Sequence, residues 1–489
     1  MHNSDSVKHF CGVAGVYCAK EDDIPAQLFY SLFALQHRGQ ESCGIAYRRD
    51  GRTIVYKDLG MVSQVLPHYL EKPRPSTVGI GHVRYSTHGG NKLENAQPIV
   101  VECNKGTIAL AHNGNISNTT ALKQQLFADG SIFQSSSDSE LILHLISRSR
   151  AGDFHSALVE TLQRVEGAYS ITMIHDNRLV VIRDPLGFRP LYLGWKDGMY
   201  AAVSETCALD ILGISQYRAV EPGEIISIGP DGVSSDFLPR QTPHAQCVFE
   251  LIYFARPDSE IFSHSVHAAR KRMGKALAAG DKAVGDVVLP VPDSGNSAAL
   301  GYSEASGIPF ELGLTRNHYA GRSFILPTTS ARELAVRMKL HPVKHVIEGR
   351  SVILVDDSLV RGTTARSLVR LVREAGAREV HLRLCSPEIR WPCFFGIDIP
   401  TRGELISNHL TNEQIAEYID ADSVRFLSIE SLRGCLENHK DFCYACFSGS
   451  YPVKVPLGAD AVLAPATHPN AGKPEKPGSD GTHVPGEAP

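Results

Sequence analysis

Two adjacent carboxylates, Asp356 and Asp357, stand between a short apolar run and a turn of small residues, in Ser351-Val-Ile-Leu-Val-Asp-Asp-Ser-Leu-Val-Arg-Gly-Thr-Thr364. The run Val352 to Val355 has the length and character of a fully buried strand. Ser358, Arg361, Gly362, Thr363 and Thr364 then lead into a helical pattern that ends near Gly376. Such a turn offers backbone N–H groups, and the helix it opens carries about half a positive elementary charge at its N-terminus. Together they can cradle a phosphate. The carboxylates just before the turn are placed to accept hydrogen bonds from a diol, so a phosphate site is joined to a sugar site. No G-x-x-x-x-G-K-[ST] segment occurs in the chain, so the phosphate cradle is not of the Walker type.

A second group of residues lies in the first third of the chain. Cys11-Gly-Val-Ala-Gly15 alone reads as a buried strand with a small apolar thiol, the usual setting of cysteine. Four further segments point elsewhere: Leu35-Gln-His-Arg-Gly-Gln40, Gly81-His-Val-Arg-Tyr-Ser-Thr87, Ala111-His-Asn-Gly-Asn115 and Ser137-Asp-Ser-Glu140. In this order they resemble the class II glutamine amidotransferase family, whose nucleophile is an N-terminal cysteine. Amide hydrolysis needs a thiolate-like nucleophile and a nearby base. A free α-amino group, titrating at about 7.7–8.0, serves as that base near neutral pH. The resemblance therefore implies that residues 1–10 are a propeptide removed to free Cys11. It also implies that the Asn113 side chain and the Gly114 N–H form an oxyanion hole. Arg84 would pair with the glutamine α-carboxylate, which suits a planar guanidinium, and Asp138 would hold the α-ammonium. His37, His82 and His112 lie in the same segments and read as hydrogen-bonded scaffold.

The Asp356 to Thr364 stretch resembles the signature of type I phosphoribosyltransferases, which bind phosphoribosyl pyrophosphate (PRPP). Upstream, Val291-Pro-Asp-Ser-Gly-Asn-Ser-Ala-Ala-Leu-Gly-Tyr302 follows a predicted strand, with glycine where backbone must approach a ligand. By resemblance, Asp293, Ser294 and Gly295 meet the pyrophosphate and its Mg²⁺, one ion per subunit. Ser294, Asp356 and Asp357 would serve that metal, and Arg361, Gly362, Thr363 and Thr364 would grip the 5′-phosphate. Between the two motifs lies Arg316-Asn-His-Tyr-Ala-Gly-Arg-Ser-Phe-Ile325. Its Arg316 and Arg322, with little apolar periodicity around them, read as a mobile loop closing over a charged substrate; a solvated surface loop is the plainer alternative.

A class II glutaminase joined to a type I phosphoribosyltransferase resembles the amidophosphoribosyltransferase family. The implied reaction converts glutamine, PRPP and water to 5-phosphoribosylamine, pyrophosphate and glutamate, the first step of purine synthesis, with ammonia passed between the sites. Cleavage at the anomeric carbon passes through an oxocarbenium-like state, and Mg²⁺ stabilises charge on the departing pyrophosphate. Ammonia is already a nucleophile, so the second site needs positioning and electrostatics more than a base. The family is typically a homotetramer with feedback inhibition by purine nucleotides, AMP and GMP, which enter as expected partners. Cys443-Tyr-Ala-Cys446 is a C-x-x-C pair, and Cys247 and Cys393 sit in segments similar to the family's iron–sulfur branch. There such cysteines hold a [4Fe–4S] cluster. Spacing alone leaves Cys385 and Cys435 as alternative ligands, and a tetrahedral Cys₄ zinc site open. Cys18, Cys43, Cys103 and Cys207 read as core or surface thiols.

These residues need two kinds of scaffold. From Cys11 to about Pro239 the apolar segments are short and often β-rich (12–16, 44–47, 107–111, 169–174, 179–183), with helical patterns at 24–37, 139–148 and 154–164. That mixture reads as α+β, with helices packed on antiparallel sheets. From about Arg256, helices (264–279, 298–306, 364–375) alternate with strands (286–291, 351–355, 379–384), as in a doubly wound parallel sheet. The expected organisation is an α+β N-terminal-nucleophile glutaminase domain over residues 11–240 and an α/β type I phosphoribosyltransferase domain over 255–456. Residues 457–489 are rich in Pro, Gly and Ala without an aromatic, and read as a disordered tail.

Composition agrees with a two-domain enzyme, since 489 residues exceed one ordinary core. A net charge of −4 supplies no basic surface for nucleic acid or an anionic membrane. No apolar run approaches the roughly 18–20 residues that cross a bilayer, and residues 1–10 lack the apolar centre of a secretory signal. Eleven cysteines, an odd number without such a signal, favour reduced thiols, a metal site or a nucleophile over disulfides. The expectation is a cytoplasmic protein. Two rival functions fit the motifs less well. A hexosamine-6-phosphate synthase needs a sugar isomerase domain, which the Asp-Asp-Ser signature argues against. An inactive sensor of PRPP or nucleotides sits badly with intact Cys11, Arg84, Asn113, Asp138, Asp356 and Asp357.

Overall fold

The strand Gly12–Asp22 is apolar on both faces because both faces are covered. It lies in a seven-stranded antiparallel sheet between Met199–Val203 and Ser76–Arg84. On one side Val13 and Tyr17 join Ala109, Ala111, Leu179 and Val181 of a six-stranded antiparallel sheet in a dry inter-sheet core. On the other, Ala14, Val16 and Cys18 belong to the core beneath the helix Ile24–Ala34. This helix buries Ile24, Leu28 and Leu32, one per turn. It settles close to the sheet because Gly79 and Gly81 leave room: a Cβ there would stand 2.6 Å from Ile24 and 2.8 Å from Leu32. Helices Ser139–Arg148 and Phe154–Leu162 cover the outer face of the six-stranded sheet. The first half is thus four layers, helix, sheet, sheet, helix. The computed structural model describes residues 11–85, 92–239, 244–282, 284–317, 337–456 and 459–464. Residues 1–10, Arg322 and nearly all of the expected tail lie outside the described residues.

The second half is built on a four-stranded parallel sheet, ordered Val287–Pro290, Ser351–Asp356, Glu379–Leu384, Ser423–Phe426. Helices Val266–Ala279 and Asn296–Ser306 cover one face, where Val288, Ile353 and Val355 point. Helices Thr363–Glu374 and Asn412–Ile419 cover the other, over Leu289, Val352 and Leu354. Strands buried on both faces are continuous apolar runs, which is why they stand out in the sequence.

Two local differences from the sequence reading have clear causes. The helix expected over 24–37 ends at Ala34, because His37 and Arg38 turn inward to buried carboxylates and Gln36 Nε2 bonds the Gly39 carbonyl at 2.5 Å. The stretch left between the two domains is core: Val248, Phe249, Leu251 and Ile252 are buried in one apolar cluster that reaches both halves. It includes a π-helical turn, Glu250–Phe254, and the strand Gln246–Cys247, which pairs in parallel with Phe442–Cys443.

Candidate active sites

Cys11 precedes Gly12, which lies opposite Val83, so the thiol residue comes alongside Arg84. Its Sγ donates to the Tyr85 carbonyl at 3.8 Å. Burial pushes the thiol up, Arg84 and Arg38 pull it down, and Asp138 raises it. Arg84 and Asp138, expected to bind the two ends of an amino acid, therefore act on the thiol expected to attack it. Asp138 immediately precedes the helix Ser139–Arg148, and its Oδ2 accepts the Ile116 N–H at 2.9 Å.

The strand Gly106–Ile116 carries Asn113 and Gly114. Alternation along a strand turns the N–H groups of His112, Gly114 and Ile116 to one edge. The first donates to Gln97 Oε1 at 2.7 Å and the third to Asp138, which leaves Gly114 between them. Asn113 is fully buried, and among the described residues neither its Nδ2 nor its Oδ1 has a hydrogen-bond partner. A buried amide left unmatched normally costs a few kcal/mol, so its place here calls for a ligand.

The three motif histidines are held as scaffold. His82 Nε2 meets the His112 carbonyl at 3.1 Å, and burial lowers its pKa to about 3. His112 is lowered by burial too, with Nδ1 2.9 Å from Ser139 Oγ. His37 Nε2 lies 2.7 Å from Glu205 Oε1.

At the second site the strand Ser351–Asp356 ends on the acidic pair. Asp357 accepts from Ser294 Oγ at 2.6 Å and Ser358 Oγ at 2.5 Å, so the upstream loop and the acidic pair meet. Burial raises both carboxyls; Asp357 further raises Asp356, while Ser294, Ser358 and Arg270 act to lower Asp357. Gly295 precedes the helix Asn296–Ser306, and a Cβ on it would stand 2.4 Å from the Val355 carbonyl. Gly362 caps the helix Thr363–Glu374 at φ +85°, and Thr363 and Thr364 form its first turn. The Arg361 guanidinium lies on Glu404, with Nη2 to Oε2 at 2.7 Å. Arg316 pairs with Asp293.

Cys247, Cys393, Cys443 and Cys446 line one cavity with Phe188, Phe249, Phe395 and Ile397. Burial raises all four thiols, and each of Cys443 and Cys446 is raised further by neighbouring thiols. Cys385 and Cys435 are elsewhere: Cys435 Sγ donates to the Ser431 carbonyl at 3.1 Å, and Cys385 follows the strand beside the acidic pair. Among the described residues no three His, Cys, Asp or Glu side chains converge on a single ion.

Residues 82–210 match the family model of a glutamine amidotransferase domain. The amidophosphoribosyltransferase of Methanocaldococcus jannaschii is 46% identical, the match covering 91% of this chain and 98% of that one. The enzyme of Bacillus subtilis is 45% identical over 91% of this chain and 94% of its own. This chain belongs to the amidophosphoribosyltransferase family. A solved structure of glutamine PRPP amidotransferase from B. subtilis, complexed with ADP and GMP, superposes with a TM-score of 0.85 at 43% identity, covering 92% of this chain and 98% of that one. No described helix is long and apolar enough to cross a membrane.

Within this amidophosphoribosyltransferase fold, a buried charge network escaped the sequence reading. Arg38 donates through Nε to the Cys11 carbonyl at 3.1 Å, and through both Nη atoms to Glu250, at 3.0 and 2.8 Å. It also meets Glu205, and Arg189 Nη1 reaches Glu250 at 3.4 Å. All four side chains are fully buried. Burial opposes the Glu205 charge, but His37 and Arg38 together hold its carboxyl far below the usual range. Glu250 heads the π-helical turn, whose Leu251 carbonyl and the adjoining Ala255 carbonyl accept from buried Arg270, at 2.9 and 2.8 Å. The only sequence signal was a set of charged residues within apolar surroundings; their pairing, across up to 212 positions, was invisible.

Proposed function

We propose that the chain converts glutamine, PRPP and water to 5-phosphoribosylamine, pyrophosphate and glutamate at two linked sites. The observation that carries the reading is one half-buried thiol, Cys11, under the fields of Arg84 and Asp138, together with a buried amide, Asn113, whose polar atoms are unmatched among the described residues. Cys11 attacks the glutamine amide once residues 1–10 are removed and its own α-amino group can take the proton. Asn113 Nδ2 and the Gly114 N–H receive the negative oxygen of the tetrahedral intermediate. Arg84 grips the α-carboxylate and Asp138 the α-ammonium, which fixes the scissile amide over the thiol.

At the second site the helix N-terminus at Gly362, Thr363 and Thr364 takes the 5′-phosphate, and Asp356 and Asp357 take the ribose hydroxyls. Arg361 joins this cradle when it leaves Glu404. Asp293, Ser294 and Gly295 meet the pyrophosphate. Two adjacent half-buried carboxylates repel each other unless a cation lies close, and with Ser294 they form an all-oxygen donor set suited to Mg²⁺. The ion would stabilise charge on the leaving pyrophosphate. The four thiols of the aromatic-lined cavity would hold a [4Fe–4S] cluster, as the resemblance to the family's iron–sulfur branch implies. The role proposed for this site is structural. Purine nucleotides are proposed as feedback inhibitors and a homotetramer as the assembly, supported by the family and, for nucleotides, by the ADP and GMP in the Bacillus structure. A cytoplasmic location is proposed on the same grounds.

The decisive experiment is Cys11→Ala. It should abolish glutamine-dependent phosphoribosylamine formation and leave the ammonia-dependent reaction largely intact. A folded variant that free ammonia fails to rescue would refute the two-site assignment.

A further inference from the structure

The strand that carries Asn113 and Gly114 is supported by the opposite half of the chain. The neighbouring strand Ile99–Cys103 pairs with it only between Gly106 and Leu110. Beyond that point its single strand neighbour among the described residues is Gly167–His175. The segment Cys393-Phe394-Phe395-Gly396 lies against residues 114–115 instead. Asn115 Nδ2 donates to the Phe394 carbonyl at 2.8 Å. Arg189 donates to the Phe395 carbonyl, and the Phe395 ring stacks on Phe188 with centroids 4.4 Å apart.

Gly396 has φ +103°, and a Cβ there would stand 3.2 Å from the carbonyl carbon of Gly114 and 3.0 Å from Arg189 Nη2. On the other side, a Cβ on Gly114 itself would lie 2.0 Å from the Ala168 carbonyl oxygen. The Cα and carbonyl of Gly114 are therefore held between Ala168 and Gly396, with the Asn115 side chain anchoring the next residue. Oxyanion donors work because they are fixed before charge develops, and a donor free to rotate loses most of its effect. Asn113 cannot supply that rigidity, since its amide has no partner among the described residues.

We propose that Asn115 and Gly396 are positioning residues for glutamine hydrolysis. They clamp the Cα and carbonyl of Gly114 so that the N–H on that Cα and the Asn113 amide stay aimed at the tetrahedral oxygen, and the C-terminal half thereby completes the glutaminase site. The inference rests on reading Asn113 and Gly114 as the oxyanion donors.

The test uses the full-length processed enzyme with Asn115→Ala and Gly396→Ala, assayed with PRPP present. The kcat for glutamine hydrolysis should fall about 10–100-fold in each. The KM for glutamine should stay within about threefold, as expected when an interaction of the transition state alone is lost. Ammonia-dependent phosphoribosylamine formation should be unchanged. The second readout is a glutamine-derived aldehyde, whose carbonyl carbon bonds to the Cys11 sulfur while the thiol proton passes to the aldehyde oxygen. Its inhibition should weaken by the same factor as kcat/KM, while inhibition by glutamate should not change. Wild-type kcat in both variants would overturn the proposal. So would a parallel loss of the glutamine- and ammonia-dependent activities that follows the folded fraction. Absence of glutamine hydrolysis in the unsubstituted enzyme is a separate result, which would overturn the proposed function and this inference with it.

Discussion

Asn113 and His82 are both buried, and they show opposite ways in which a polar side chain is kept in a core. Asn113 has no partner among the described residues, so its desolvation is tolerated for what it can bind. Asn113→Ala should lower glutamine-dependent kcat by about 10²–10³ with little change in the glutamine KM, as steady-state assays would show. His82 is bonded through Nε2 to a carbonyl instead and kept neutral, its pKa lowered by burial to about 3. The unfolded chain binds a proton here below about pH 6.5, where the folded protein does not. The stability is thus present above about 6.5 and is lost as pH falls towards 3. About 2 kcal/mol should go by pH 5 from this residue, and His112, shifted the same way, adds to it. Urea midpoints from pH 7 to 5 should fall in the native enzyme and fall less in His82→Gln. Reading these histidines as scaffold was possible from sequence, because a motif turn binds its own backbone more often than it catalyses. The unmatched state of Asn113 was not readable, because it depends on what all neighbouring elements withhold.

Among the elements, the π-helical turn Glu250–Phe254 has the largest consequence for its size. Glu250 sits between two buried arginines, one bonded to the Cys11 carbonyl and the other to the Phe395 carbonyl. Breaking a buried ion pair from one side leaves uncompensated charge, at a cost of about 3–5 kcal/mol. Glu250→Gln should therefore lower stability by that order in chemical denaturation, and lower glutaminase activity more than ammonia-dependent transfer. Pi-helical turns are rare and often mark functional positions, but they have no composition of their own. Strands of the parallel sheet were legible as apolar runs, and the helices covering them by periodicity. The turn at 250–254 carries no such signal, because its residues pair with partners scattered over both halves.

For the molecule as a whole, the testable property is how its centres work together. Purified anaerobically, the protein should be brown and contain iron and acid-labile sulfide in about the proportion of one four-iron cluster per chain. Cys443→Ser and Cys446→Ser should give insoluble or unstable protein. A colourless preparation with stoichiometric zinc would refute the cluster. PRPP should raise glutaminase activity, which requires that it bind one state of the protein better than another. Arg322 and Phe324 fall outside the described residues, so their part is tested by function: Arg322→Ala and Phe324→Ala should weaken PRPP activation and spare basal glutamine hydrolysis. Full activation in both variants, with one phosphoribosylamine per glutamate, would exclude that segment as the coupling element.

By itself the sequence carried the two chemistries, as motifs whose order resembles that of known families: a thiol before a strand, Asn-Gly in a strand, an acidic pair before a glycine-led helix. Local order also determined the fold class, through apolar runs and helical periodicity. Tertiary structure decided everything that depends on residues far apart. It selected Cys247 and Cys393 over Cys385 and Cys435 as companions of the C-x-x-C pair in one cavity. It joined Arg38 to Glu205 and Glu250, and set Gly396 against Gly114. Pairing of buried charge and close backbone approach follow from how the layers stack, and no spacing along one chain encodes which distant residue a stacked layer brings into contact.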